Sequence, residues 1–375
     1  MGAGIAQVAA SAHHDVTVFY SSPDAILKAK SGINNSLRKI VEKGKLESDA
    51  AATIFSGIHF VADPGRLSHC TLVVEAVVED LSVKQKVFAD MEKVVPPESI
   101  LATNTSSLSI TSIAASLKHK TRFIGLHFFN PAPVLPLVEI IPGYQTSDET
   151  VAASKIIIEA WGKIAVVCKD TPGFIVNRVA RPFYGEALRI AEEGIADIPT
   201  IDWAMKEIGR FRMGPFELMD LIGIDVNYAV TETIFKALYY DPRYKPSLIQ
   251  KRMVEANALG RKTGKGFYDY HDDARNAPPD KNEKVAKKIF LRILSMIVNE
   301  ASELVFRTAS MEDIDLAVTK GVNYPKGVFR WADEIGIGRI VAELQSLYEE
   351  YHEDRYRISP LLKKMLRENK KFYHT

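Results

Sequence analysis

Two patterns of apolar residues divide the chain near residue 170. Before that point, short apolar runs rich in β-branched residues alternate with stretches whose apolar residues recur at helical spacing. Such runs are typical of buried strands in a parallel sheet. The predicted strands are Asp15–Tyr20, Leu72–Val78, Ile100–Thr103, Phe123–Leu126, Leu137–Ile141 and Ile164–Cys168. Beyond them the strand-like runs largely stop, so we expect an α/β domain followed by an all-helical region.

The boundary between the two regions falls at a short segment with turn chemistry, Lys169–Gly173. Before this segment, helical spacing covers Pro23–Ser48 and Thr150–Trp161, and a further helix opens at the N-terminus. We therefore assign residues 1–171 to the α/β domain.

The helical region contains an internal repeat. Six residues of its first part recur 113 positions later, and Ile201, Asp202 and Ala204 recur at the same offset. The six residues are Gly214, Phe216, Asp220, Ile222, Gly223 and Ile224, which recur as Gly327, Phe329, Asp333, Ile335, Gly336 and Ile337. We predict two copies of one helical domain, over residues 172–270 and 285–375, joined by the polar, proline-containing linker 271–283.

Composition limits the classes of function. The chain has 375 residues, of which 46% are hydrophobic and 25% charged, as in an ordinary globular protein. A net charge of +1 gives no basic field for nucleic acid or for an anionic membrane. Cys70 and Cys168 form neither a disulfide framework nor a metal-ligand pattern, which suits a reducing compartment. With no membrane-spanning run and no signal-peptide pattern, we expect a cytoplasmic protein.

Candidate chemistry lies where strand-like runs end. Asn104–Ser107 follow one run, His127 closes another, and Glu139 is the only charge in a third. Histidine is well matched to proton transfer near neutral pH, and a glutamate in an apolar strand is costly unless it is paired. Taken one at a time, each has a plain structural alternative: His127 as a satisfied core histidine, Glu139 as a solvent-facing edge residue, and Asn104–Ser107 as a helix cap.

Three blocks of sequence resemble the signatures of the 3-hydroxyacyl-CoA dehydrogenase family. They are NTSSLSIT from Asn104, GLHFFNPAPVLPLVEII from Gly125 and KDTPGFIVNR from Lys169. The resemblance implies that His127 is the catalytic base and Glu139 its partner. It also implies that Ser106 and Asn177 hold the substrate oxygen and the histidine.

The same resemblance implies a Rossmann-like domain that binds NAD through Gly2, Gly4, Glu79, Lys84, Asn104 and Asn130. The glycine-rich fingerprint of such folds is incomplete, because its strand and first two glycines would precede Met1. The second strand ends at Tyr20, where the family has an acidic residue that binds the ribose. We therefore expect the sequence to be an N-terminally incomplete form of a working enzyme, with the first strand missing.

For the substrate, the resemblance implies that Ser36 and Lys43 contact the CoA moiety. Arg178, Arg181 and Arg212 are candidates for a distal carboxylate of the acyl group, although each also suits a surface or ion-pair position. In family members with one helical domain, two chains pair through it. A tandem copy predicts either a monomer with an intrachain pseudo-dimer or a homodimer. Because Leu291 stands opposite Asn177, the second copy is expected to be structural.

Two functions remain open at this point. One is an enzyme that oxidises a (3S)-3-hydroxyacyl-CoA to the 3-ketoacyl-CoA with NAD. The other is a catalytically impaired acyl-CoA-binding protein of the same fold, which the incomplete glycine loop and Tyr20 would favour. The intact set of Ser106, His127, Glu139 and Asn177 favours the enzyme.

Overall fold

The computed structural model describes residues 1–20 and 22–373. The chain forms two compact units, Met1–Asp170 and Thr171–Thr375. Within the described residues, no helix is both long and apolar enough to cross a bilayer.

The first unit contains two sheets. Strands β1 (Val16–Phe19) and β2 (Ile58–Val61) form a parallel pair. A five-stranded sheet has the order β3-β4-β5-β6-β7, in which β5 and β6 pair antiparallel and the other neighbouring strands pair parallel. Its strands are Leu72–Glu75, Ile100–Thr103, Phe123–Phe128, Leu137–Pro142 and Ile164–Val167. The predicted Rossmann-like α/β class is confirmed, and the run predicted to end at Val78 ends as a strand at Glu75.

The helices of the first unit pack on these sheets. Helix α1 packs on both sheets. Its Ile5 and Val8 pack with the five-stranded sheet, and its Ala6 and Ala10 pack in the cluster that includes Val16 and Val18 of β1. The helices are α1 (Gly2–Ser11), α2 (Pro23–Glu42), α3 (Ser48–Ser56), α4 (Leu81–Met91), α5 (Ile110–Ala114) and α6 (Asp148–Ala160).

The second unit is helical throughout its named elements. Up to the linker these are α7 (Val176–Val179), α8 (Arg181–Glu192), α9 (Ile198–Glu207), α10 (Pro215–Ile222), α11 (Ile224–Ala237) and α12 (Leu248–Glu255). After the linker come α13 (Glu283–Arg307), α14 (Met311–Gly321), α15 (Val328–Ile335), α16 (Ile337–Tyr351) and α17 (Pro360–Glu368).

The repeated aspartates and glycines have the same structural task in both copies. Asp202 accepts hydrogen bonds from the main-chain N–H groups of Phe216 and Glu217, at the start of α10. Its counterpart Asp315 does the same at the start of α15. A Cβ at Gly214 or at Gly327 would lie 2.3 or 2.2 Å from the facing aspartate side chain. The repeat therefore preserves a buried cap that leaves room only for glycine.

Buried ion pairs connect the two copies reciprocally. Arg178 of the first copy donates to Glu300 of the second at 2.7 Å, and Arg292 of the second donates to Glu186 of the first, also at 2.7 Å. Tyr244 and Tyr356 donate to the same two carboxylates in the same crossed manner. Such reciprocity is the signature of an isologous interface, here built within one chain.

Candidate active site

His127 and Glu139 form a buried pair at the centre of the first unit. The antiparallel register of β5 and β6 sets them directly opposite each other, so their side chains lie on one face of the sheet. Nδ1 of His127 lies 2.6 Å from Oε2 of Glu139, and the glutamate is fully buried. The alternative in which Glu139 faces solvent is therefore wrong. The pair fixes the imidazole and provides a negative charge beside it.

Asn104 joins the ends of two neighbouring strands. It follows β4, and its Oδ1 accepts a hydrogen bond from the N–H of Phe128 at 2.8 Å. Phe128 is the residue after His127, and the ring of Phe129 lies 4.5 Å from the imidazole ring between centroids. Asn104 was predicted to contact the cofactor. Its side-chain oxygen holds the strand that carries the histidine, and the contact with the cofactor stays a prediction.

The polar segment after β4 is organised by Glu79. Oε1 of Glu79 accepts hydrogen bonds from the Thr105 hydroxyl at 2.6 Å and from the main-chain N–H groups of Ser106 and Ser107 at 3.0 and 3.1 Å. Helix α5 starts only at Ile110, with Ser109 as its cap, so the alternative of a helix cap at Asn104–Ser107 is wrong. Glu79 thus fixes the backbone that presents Ser106.

The charge of Glu79 is stabilised by these contacts. Burial alone would raise its pKa, but hydrogen bonds from Thr105, Ser107 and Ser106 and the charge of Lys84 outweigh burial and lower it. The carboxylate therefore stays ionised and keeps its role as an acceptor.

Lys84 lies behind this segment. It is 1% exposed, and its Nζ lies 2.8 Å from Glu75 and 3.3 Å from Glu79. Thr103 also donates to Glu75, at 2.8 Å. Sequence reasoning predicted Glu79 and Lys84 but missed Glu75. The signal that identified Glu139, a single carboxylate in an apolar strand, was present at Glu75 as well.

A cleft of about 230 Å³ brings together three of the residues predicted to bind cofactor or CoA, Gly4, Ser36 and Asn130. A Cβ at Gly4 would lie 3.3 Å from Pro133, so glycine lets the loop after β5 approach α1 closely. Lys43, predicted with Ser36, is not among the lining residues of this cleft.

The start of α1 suits a dinucleotide. A Cβ at Gly2 would lie 3.6 Å from Ala76 and 4.0 Å from the hydroxyl of Tyr20, which places Gly2 between the ends of β3 and β1. Main-chain N–H groups at such a helix start bind phosphate. Burial raises the pKa of Tyr20, so its hydroxyl stays protonated. A neutral hydroxyl can hydrogen-bond a ribose where the family has an acid, and the residues present therefore fit NAD.

Asn177 belongs to the second unit, where it lies on α7. The Nε of Arg181, one turn later, donates to its main-chain oxygen at 2.9 Å.

Comparison with known proteins gives the same picture from sequence and from structure. The family model described as 3-hydroxyacyl-CoA dehydrogenase, NAD binding domain, matches residues 1–171. The model of the C-terminal domain of that family matches two segments, 173–270 and 289–374.

Individual relatives agree with the family match. The 3-hydroxyadipyl-CoA dehydrogenase of Escherichia coli is 36% identical, over 97% of this chain and 94% of its own length. A probable 3-hydroxybutyryl-CoA dehydrogenase of Deinococcus radiodurans is 44% identical, over 72% of this chain and 96% of its own length. A crystal structure of 3-hydroxybutyryl-CoA dehydrogenase from Escherichia coli matches with a TM-score of 0.90 and 36% identity, over 97% of this chain and 95% of the other. The chain therefore belongs to the 3-hydroxyacyl-CoA dehydrogenase family, whose enzymes use NAD.

Proposed function

We propose that His127 is the general base in the NAD-dependent oxidation of a (3S)-3-hydroxyacyl-CoA to the 3-ketoacyl-CoA. The observation that carries this role is the 2.6 Å contact between Nδ1 and the fully buried carboxylate of Glu139. With Nδ1 turned to Glu139, Nε2 is the nitrogen that takes the proton of the substrate hydroxyl. NAD, when bound, supplies the acceptor for the hydride of C3. The carboxylate of Glu139 stabilises the imidazolium that results.

Ser106 orients the substrate oxygen in this proposal. Support comes from Glu79, which accepts hydrogen bonds from the main-chain N–H groups of Ser106 and Ser107 and so fixes the segment. For Asn177 we keep the substrate-orienting role that the family resemblance implies.

We keep the cofactor and CoA contacts that the family resemblance implies, and the cleft at the start of α1 supports Gly4, Asn130 and Ser36 among them. We assign NAD to Gly2, Gly4 and Asn130, and the CoA moiety to Ser36 and Lys43. Glu79, Lys84 and Asn104 support this region by fixing the loops after β3 and β4, because each already holds main-chain or side-chain groups there.

The assembly that we propose is a monomer. The reciprocal pairs of Glu186 and Glu300 give the two helical copies the contacts that two separate chains would otherwise make. We also propose a cytoplasmic location, from the reducing compartment that the cysteine pattern suggests. Light scattering and cell fractionation test the two statements separately.

The acyl group is a separate question. The Escherichia coli relative is named for 3-hydroxyadipyl-CoA and the Deinococcus relative for 3-hydroxybutyryl-CoA. We propose a short acyl group within this range.

The direct test is oxidation of NADH with acetoacetyl-CoA by the 375-residue chain, measured as the decrease in the absorbance of NADH. We expect turnover that depends on both substrates. Binding of acetoacetyl-CoA in calorimetry without any turnover would instead support the acyl-CoA-binding protein.

A further inference from the structure

Arg181 is a buried cation held only by neutral acceptors. Its Nε donates to the main-chain oxygen of Asn177 at 2.9 Å. Its Nη1 donates to the main-chain oxygen of Asn227 at 3.3 Å and to the hydroxyl of Thr231 at 3.0 Å. Across residues 1–20 and 22–373, none of the contacts found for Arg181 is an ion pair with a carboxylate, and none engages Nη2. A guanidinium has five N–H donors, so the N–H groups of Nη2 remain able to donate hydrogen bonds.

The other arginines considered for a distal carboxylate are different. Arg178 is committed to Glu300 at 2.7 Å and to the hydroxyl of Tyr244 at 3.0 Å. Arg212 is exposed. Burial of a cation without a counter-charge is strongly unfavourable, and burial lowers the pKa of Arg181 accordingly. Arg181 alone among the three candidates is buried and without a carboxylate.

A second unused donor lies nearby. The hydroxyl of Tyr324 is buried and, among the described residues, has no hydrogen-bond partner. It interacts electrostatically with Arg181, and burial raises its pKa, so the hydroxyl stays protonated and can donate. The ring of Tyr184 lies 5.0 Å from the guanidinium carbon and covers one side of it. The N–H groups of Nη2, beside a hydroxyl donor, can donate to the oxygens of a carboxylate.

The position of this cluster suits the acyl end of a substrate. Side chains on a helix lean towards its N-terminus, so Arg181 lies over the turn that carries Asn177. One helical turn rises about 5.4 Å. In a six-carbon 3-hydroxydicarboxylic acyl group, three bonds of about 1.5 Å separate C3 from the terminal carboxyl carbon, a span of roughly 4 Å.

We propose that Arg181 and the hydroxyl of Tyr324 bind a carboxylate at the far end of the acyl group. The enzyme would then prefer short 3-hydroxydicarboxylic acyl-CoA esters to unsubstituted esters of the same length. This rests on the proposed function, because it takes Asn177 to orient the substrate oxygen. The second helical copy would then contribute to specificity through Tyr324, although it carries no catalytic asparagine.

The test compares two CoA thioesters of equal length, of 3-hydroxyhexanedioic and 3-hydroxyhexanoic acid, as the ratio of their kcat/KM values. We expect a wild-type ratio well above one. Arg181→Met should lower the ratio by on the order of 30-fold or more, since it removes one partner of a buried charge pair. Tyr324→Phe, which removes one neutral donor, should lower it by roughly 2- to 10-fold. Arg212→Met removes an exposed cation and should leave the ratio as in the wild type.

The outcomes separate this inference from the function on which it rests. Turnover of neither ester by the wild type would contradict the proposed function. A wild-type ratio near one, or an equal loss on both esters in Arg181→Met, would overturn the inference alone and make Arg181 structural. If Arg181→Met does not fold, the wild-type ratio and Tyr324→Phe decide the matter.

Discussion

At the scale of single residues, the proposed chemistry depends on a pair that the chain brings together from twelve positions apart, His127 and Glu139. Both were predictable because each stands out within its own strand-like run. Their contact depends on the antiparallel turn between β5 and β6, which local sequence patterns do not show. Glu75 has the same local signal and a different task, holding Lys84. A carboxylate within an apolar strand therefore indicates a buried contact, and only the fold shows which residue it contacts.

We expect Glu139→Gln to lower kcat by on the order of 100-fold or more, because this carboxylate holds the tautomer of the catalytic histidine and stabilises its imidazolium. The amide can still contact the imidazole but cannot stabilise its charge, so the KM for the acyl-CoA should change little. Steady-state kinetics measure both constants. Glu98→Gln, at an exposed glutamate, is the matched control. A raised KM with kcat unchanged would mean that Glu139 serves binding rather than proton transfer.

At the scale of elements, the loops after β3 and β4 are held together by one network, which is buried at Glu75 and Lys84 and exposed at Glu79. Glu79 gathers the donors of Thr105–Ser107, and Lys84 on α4 connects Glu79 to Glu75. The family resemblance placed Glu79 and Lys84 near the cofactor. It gave no sign that Lys84 is buried, because burial depends on contacts between separate elements, such as that of Lys84 with Glu75 on β3.

Lys84→Met should lower the free energy of unfolding by about 3–5 kcal/mol, the cost of removing one member of a buried ion pair. The reason is Glu75, which is buried and would lose its only cation among the described contacts. Urea denaturation followed by circular dichroism measures the change. Lys86→Met, on the exposed face of the same helix, should differ little from wild type. Equal stability of the two variants would contradict the role given to Lys84.

At the scale of the whole molecule, the two predicted copies in the second unit are joined by buried ion pairs. The sequence predicted the copies from the recurrence of residues such as Asp202 and Asp315, which cap equivalent helices. It did not predict that the buried Glu186 and Glu300 each take an arginine from the other copy. Comparison of two sequence segments reveals a repeat, but a contact between the copies is visible only in the folded structure.

We expect the two copies to unfold as one cooperative unit. Trp203 lies in the first copy and Trp331 in the second, so variants that also replace Trp161 and keep only one of these two tryptophans report on each copy. Glu300→Gln leaves Arg178 and Arg243 without their shared carboxylate and should cost about 3–5 kcal/mol. The free energy of unfolding derived from the urea transition of Trp203, and that derived from the transition of Trp331, should both fall by this amount.

The control for that experiment is Glu350→Gln, at an exposed position of α16, which should move neither transition. A shift of the Trp331 transition alone would show that the copies are independent.

The most direct test of the central claim is the rate constant of wild type and of His127→Gln with NADH and acetoacetyl-CoA. In this direction the protonated His127 returns its proton to the substrate oxygen, and general acid–base catalysis of this kind contributes on the order of 100- to 10,000-fold. We predict that kcat falls by such a factor while calorimetry shows acetoacetyl-CoA bound with nearly unchanged affinity. A kcat close to that of the wild type, or a loss confined to substrate affinity, would contradict the assignment of His127 as the base.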